Sequence, residues 1–102
     1  MTVRLCVLLW ANPGADDALI RYEDQVLELM ADHGARVLQR VRSESLHGAP
    51  KEIQILEYPS RDALEAYMAD ERRVLLAGAR EAAIARTEVI PVEIIGSSGG
   101  DD

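Results

Sequence analysis

With 102 residues and a formal charge of −7, the chain is long enough for one domain with a single modest core. It is too acidic for nucleic acid or an anionic membrane, both of which require a clustered positive surface. Phenylalanine is absent, so Leu, Ile, Val, Ala and Met must fill the core, and the lone Cys6 has no intrachain partner, which points to a reducing compartment and the cytoplasm.

Residues 3–10, VRLCVLLW, are apolar on both faces apart from Arg4, as in a strand covered on two sides. The run is too short for a membrane span and lacks a secretory cleavage site. NPGADD, residues 12–17, reads as a turn leading to a helix N-cap at Asp16 or Asp17. From there to His33, Leu19, Tyr22, Val26, Leu29 and Met30 recur at helical spacing, and Gly34 supplies a left-handed stop. Residues 35–43 alternate as a strand, with Val37, Gln39 and Val41 on one face and Arg36, Leu38, Arg40 and Arg42 on the other.

SESLHGAP is a polar connection, and residues 52–58 form the third strand. Ser60, after Pro59, caps a helix whose inner face holds Ala63, Leu64, Tyr67 and Met68. Asp70 breaks it and caps another over residues 71–86, with Val74, Leu75, Gly78, Ala82 and Ala85 inward. Residues 87–95 are a β-branched strand in which Pro91 signals an edge or a bulge. The tail, GSSGGDD, has no apolar anchor and is expected to be disordered.

The order strand, helix, strand, strand, divided helix, strand predicts an α+β, ferredoxin-like βαββαβ domain over residues 1–95, with a flexible tail at 96–102. Both helices would cover one face of a four-stranded antiparallel sheet. The first strand nevertheless has an apolar set on each side: Leu5, Val7 and Leu9 toward the helices, Cys6, Leu8 and Trp10 away from them. A second apolar face on so small a domain predicts an interface, most simply a homodimer closed into a two-chain barrel.

ILEYPSRDALEAYMAD, residues 55–70, together with YEDQVLELMADHGAR upstream, resembles the dimeric α/β-barrel superfamily. More narrowly, it is similar to a small bacterial domain-of-unknown-function family related to antibiotic-biosynthesis-monooxygenase-like proteins, in which a strand ending Glu-aromatic-Pro-Ser leads into an Ala-Leu-Glu-Ala-Tyr helix. This sequence departs from that pattern after Asp70, with Glu71-Arg72-Arg73 where an aromatic and a glutamine are common. Relatives include cofactor-independent monooxygenases, muconolactone isomerases and haem-degrading enzymes. The resemblance therefore implies a small-molecule cleft between sheet and helices without selecting a reaction.

Candidate residues for such a cleft follow from their chemistry. Glu57, sent to the barrel side because Tyr58 fits under the helix, is either a general base or the partner of a strand arginine such as Arg40. His47, in the connection, is a candidate acid or base or a plain surface histidine. Trp10, Tyr22 and Tyr67 could wall a flat ligand or simply fill the core, and Arg40 could hold an anion or pair with an acid. His33 fits a helix C-terminus. Histidine spacing suggests no metal site, and one glycine in NPGADD makes no phosphate loop; no cofactor is expected. The main expectation is a small-metabolite-binding or accessory protein of unassigned activity. The alternative is a cofactor-independent monooxygenase or isomerase acting on an aromatic or polyketide-like substrate.

Overall fold

The computed structural model describes residues 1–96; the expected flexible tail, apart from Gly96, lies outside the described residues. In chain order the elements are β1 (Val3–Ala11), α1 (Asp16–Glu28) continued by a 3-10 turn (Leu29–His33), β2 (Arg36–Arg42), β3 (Glu52–Tyr58), α2 (Arg61–Met68), α3 (Glu71–Val74), α4 (Ala77–Ala83) and β4 (Ile84–Pro91). The strands form one sheet in the order β2-β3-β1-β4, and every neighbouring pair is antiparallel. This is the ferredoxin-like arrangement.

The period of two in β1 and β3 sorts their side chains. Leu5, Val7 and Leu9 of β1 and Leu56 and Tyr58 of β3 are buried beneath the helices, where they meet Leu19, Tyr22, Val26 and Met30 on the inner stripe of α1 and its 3-10 extension. Gly34 ends that extension at φ 71°, a left-handed conformation that costs a side-chain-bearing residue roughly 1–2 kcal/mol. Ser60 caps α2, its hydroxyl accepting from the Ala63 amide at 3.1 Å. Asp70 caps α3 by accepting from the Arg72 amide at 2.9 Å, and also meets His33 Nε2 at 2.8 Å.

Four sequence expectations need correction. The N-cap of α1 is Ala15, with no side-chain hydrogen bond, and Asp16 and Asp17 lie in the first turn, where they favour the positive end of the helix dipole. The strict alternation expected of β2 is interrupted by a bulge between Val37 and Gln39, which puts Val37, Arg40 and Arg42 on the helix side with Leu56, Gln54 and Glu52. The last long helix is two short ones, and its inner side holds Arg73, Leu76, Arg80 and Ala83 while Val74 and Leu75 are exposed.

Finally, α4 ends at Ala83 and β4 begins at Ile84, not at residue 87. No glycine marks this end because Asn12 closes it from a distance. Its side-chain amide donates to the carbonyls of Glu81 and Ala82, both at 3.0 Å, and its backbone amide to that of Ala83 at 2.9 Å. Those are the terminal acceptors that a glycine cap would otherwise have satisfied. Pro91 ends an edge strand, where its missing donor costs nothing.

Candidate functional site

The sheet faces away from the helices with an apolar band across its middle: Ile55, Cys6 and Ile90 in one row, and Val41, Ile53 and Leu8 in the next. Ile90 and Val41 are 45% and 46% exposed. Charged groups bound the band at both ends. Glu57 accepts from Arg4 Nε at 3.0 Å and from Arg36 Nη2 at 2.6 Å, and the Arg36 hydrogen bond, joined by that of Arg4, holds its carboxyl below the ordinary range. Trp10 Nε1 donates to the Gly48 carbonyl at 2.8 Å, and the Arg86 guanidinium stacks 4.5 Å from the indole centre.

On the helix side lies a cavity of about 240 Å³. Leu5, Val7 and Leu9 with Leu56 form its floor, Val26 and Leu64 its helical walls, and Tyr22, Tyr58, Tyr67, Glu23, Gln54, Arg73 and Arg80 its polar points. Burial raises the hydroxyl pKa of Tyr22 and Tyr58 and pushes that of Tyr67 up to about 12, against the opposing charge of Arg73. Tyr67 donates its proton to the Val26 carbonyl at 2.9 Å.

Behind the cavity runs a buried polar chain. Gln54 Nε2 donates to Glu23 Oε1 and to Glu52 Oε2, both at 2.8 Å. Glu52 is fully buried and accepts from Arg40 Nε at 2.5 Å and Arg42 Nε at 3.2 Å, while Arg40 also reaches Asp24 at 2.7 Å. Gln54 thus spaces two buried carboxylates, one neutralised by arginines and one facing the cavity.

Burial, reinforced by the charge on Glu52, raises Glu23 above its ordinary value of 4.5, against the hydrogen bond from Gln54. The folded chain therefore keeps a proton that the unfolded chain releases, so this group lowers stability as pH rises from the unfolded value through the raised one. Glu23→Gln is expected to remove that decline. Urea unfolding of parent and variant between about pH 4 and pH 8 should show a difference that grows in the variant's favour with pH; a constant difference would contradict it.

Of the residues anticipated for a site, Tyr22 and Tyr67 line this cavity. Arg40 is bound into the polar chain and borders a separate, shallow hollow with Asp24, Leu27, Glu28 and Val37. Glu57 and Trp10 lie on the opposite face of the sheet. His47 is exposed at a turn, with φ 59°. The cavity instead gathers Glu23, Gln54, Tyr58, Arg73 and Arg80. Among the described residues no three His, Cys, Asp or Glu side chains converge to hold a metal, and no helix is long and apolar enough to cross a membrane.

A family model described as Domain of unknown function (DUF1330) matches residues 12–94. The chain belongs to that family. No curated protein matches it. Among solved structures it is similar to PA3566 from Pseudomonas aeruginosa, at 18% identity and a TM-score of 0.72 over 93% of this chain and 95% of that one. It is also similar to SnoaB, a cofactor-independent oxygenase from Streptomyces nogalater, at 12% identity and a TM-score of 0.71 over 96% and 97% of the two chains. A dabb family protein with a ferredoxin-like fold from Mesorhizobium loti aligns at 13% identity and a TM-score of 0.66 over 93% and 98%. At such identities the likeness establishes the fold of this DUF1330 chain and not its chemistry.

Proposed function

We propose that the chain binds a small, largely apolar organic molecule in the cavity between sheet and helices, and works as a cytoplasmic homodimer. The observation that carries the binding reading is the cavity itself: about 240 Å³, equivalent to roughly eight water volumes. A well-packed domain of this size has few voids larger than one water. Aliphatic floor, tyrosine edges and a few convergent polar groups are the usual make-up of a small-molecule site. The apolar band on the far face supports the dimer, and the single cysteine supports the compartment.

Val89 offers a way to test the site. It lines the cavity from β4 yet is 53% exposed, so Val89→Trp can plug the mouth without disturbing the buried core. Small aromatic compounds, neutral and acidic, titrated against methyl-labelled protein should shift the signals of Val7, Val26, Leu56 and Leu64 in the parent and leave them unmoved in Val89→Trp. Shifts that persist in the plugged variant, or none in the parent, would refute the reading.

Glu23 favours a second reading, in which the same cavity is the active site of a cofactor-independent oxygenase or isomerase. A desolvated carboxyl that titrates above its ordinary range is suited to take a proton from a carbon acid. Any turnover that survived Glu23→Gln would dismiss this role.

A further inference from the structure

We infer that the ligand of the cavity is a small organic monocarboxylate, with its anionic group on Arg73 and Arg80 and its apolar body over the sheet; this rests on the binding reading above. Arg73 and Arg80 come from α3 and α4, about two helical turns apart on the inner side, and both line the cavity. Among the described residues neither makes an ion pair. The Nε of Arg73 is buried with no hydrogen-bond partner, while the rest of the guanidinium reaches the Met68 carbonyl from Nη1 at 3.4 Å and the Tyr67 hydroxyl, neither of which carries a charge. Its guanidinium carbon stands 5.3 Å from the centre of the Tyr67 ring. Arg80 donates from Nη2 to the Thr87 hydroxyl at 3.1 Å.

A guanidinium carries five donors in a rigid fork and stays charged at any physiological pH. Desolvating it against tyrosine and leucine without a counter-charge is costly. The nearest acid in the cavity does not supply one. Glu23 is bound to Gln54 and makes no ion pair with either arginine; burial holds it toward its neutral form against the pull of the Arg40 and Arg73 charges. Two cations therefore face one apolar space whose only acid is disfavoured as an anion.

The occupant that meets these conditions is anionic and flat at its charged end, and apolar beyond it. A carboxylate presents two coplanar oxygens to the Nε and Nη of one arginine and leaves a lone pair for the second. A phosphate would turn its remaining oxygens toward Leu5, Val7, Val26 and Leu64, the aliphatic part of the lining, where a carboxylate presents hydrocarbon instead. The overall charge of −7 works against anions at long range. Salt screens that repulsion within about 8 Å, leaving the local arginines to decide.

The test compares matched acids and amides. Benzoate with benzamide, and phenylacetate with phenylacetamide, are titrated by methyl NMR into the parent, Arg73→Met, Arg73→Lys and Arg80→Met. Each carboxylate is expected to bind the parent at least about tenfold more tightly than its amide. In Arg73→Met the ratio should fall to near one, and Arg73→Lys should recover part of it. Amides that bind the parent as well as the acids do would overturn the monocarboxylate assignment and leave the binding site standing. Failure of both classes to move any cavity methyl would overturn both. A preference for acids that survives in Arg73→Met and in Arg80→Met would also overturn the assignment, and the Arg80 variant keeps that comparison available should Arg73→Met not fold.

Discussion

Replacing Glu52 by alanine is expected to lower stability by about 3 kcal/mol, on the order of 10–20 °C in Tm for a domain of this length. Glu52 has no exposed surface and joins Arg40, Arg42 and Gln54 through its two oxygens. Without it, Arg40, with only 24% of its side chain exposed, keeps Asp24 alone, and Gln54 loses one of its two acceptors. The loss arises less from the attraction removed than from the partners left half-buried and unpaired. The double variant Glu52→Leu with Arg40→Met should therefore recover part of what Glu52→Ala loses, because it removes both sides of the pair. Urea unfolding measures both, and a loss under about 1 kcal/mol for Glu52→Ala would mean that water already screens the pair as it does at a surface.

The second large effect concerns assembly. Ile55 sits at the middle of the band facing away from the helices, paired with Cys6 on one side and Gln39 on the other. Because it points away from the core, Ile55→Lys should leave the fold intact. In a homodimer closed through this face, two new ammonium groups, one from each chain, would be buried without partners, at a cost of about 3 kcal/mol each, or on the order of ten-thousandfold in dimer affinity. Sedimentation at micromolar concentration should therefore give a dimer for the parent and a monomer for the variant, with matching circular dichroism. A monomeric parent, or a variant that stays dimeric, would refute the interface.

How much of this was readable beforehand depends on where chemistry and period agreed. The succession of strands and helices, the Ser60 and Asp70 caps, Gly34 and the two-sided character of β1 each follow from local rules, and the structure has them. The cavity's polar points were hidden because charged residues occupy positions that the same rules reserve for apolar ones. Residues 73, 76, 80 and 83 form a helical stripe, but two of its members are arginines, so the neighbouring stripe through Val74 and Leu75 reads as the more apolar. Glu23 follows Tyr22 on the inner side of α1, and Glu52 and Gln54 alternate in register with Leu56 and Tyr58. A polar residue on an inward period was the signal that could have found them. The end of α4 was not readable locally, since its cap is supplied by Asn12 from about 70 positions earlier.

The bulge in β2 also determines where this chain can tolerate a lost residue. It lets Val37 and Arg40, three positions apart, face the same side of the sheet. Removing Leu38, the extra residue, would restore plain alternation and leave Arg40 and Arg42 turned toward Glu52 as before. Removing a residue between Arg40 and Arg42 would instead turn Arg42 to the other face and slip the end of the strand against β3. Leu38 is thus the position in this strand where the length of the chain can change while the buried carboxylate keeps both of its arginines.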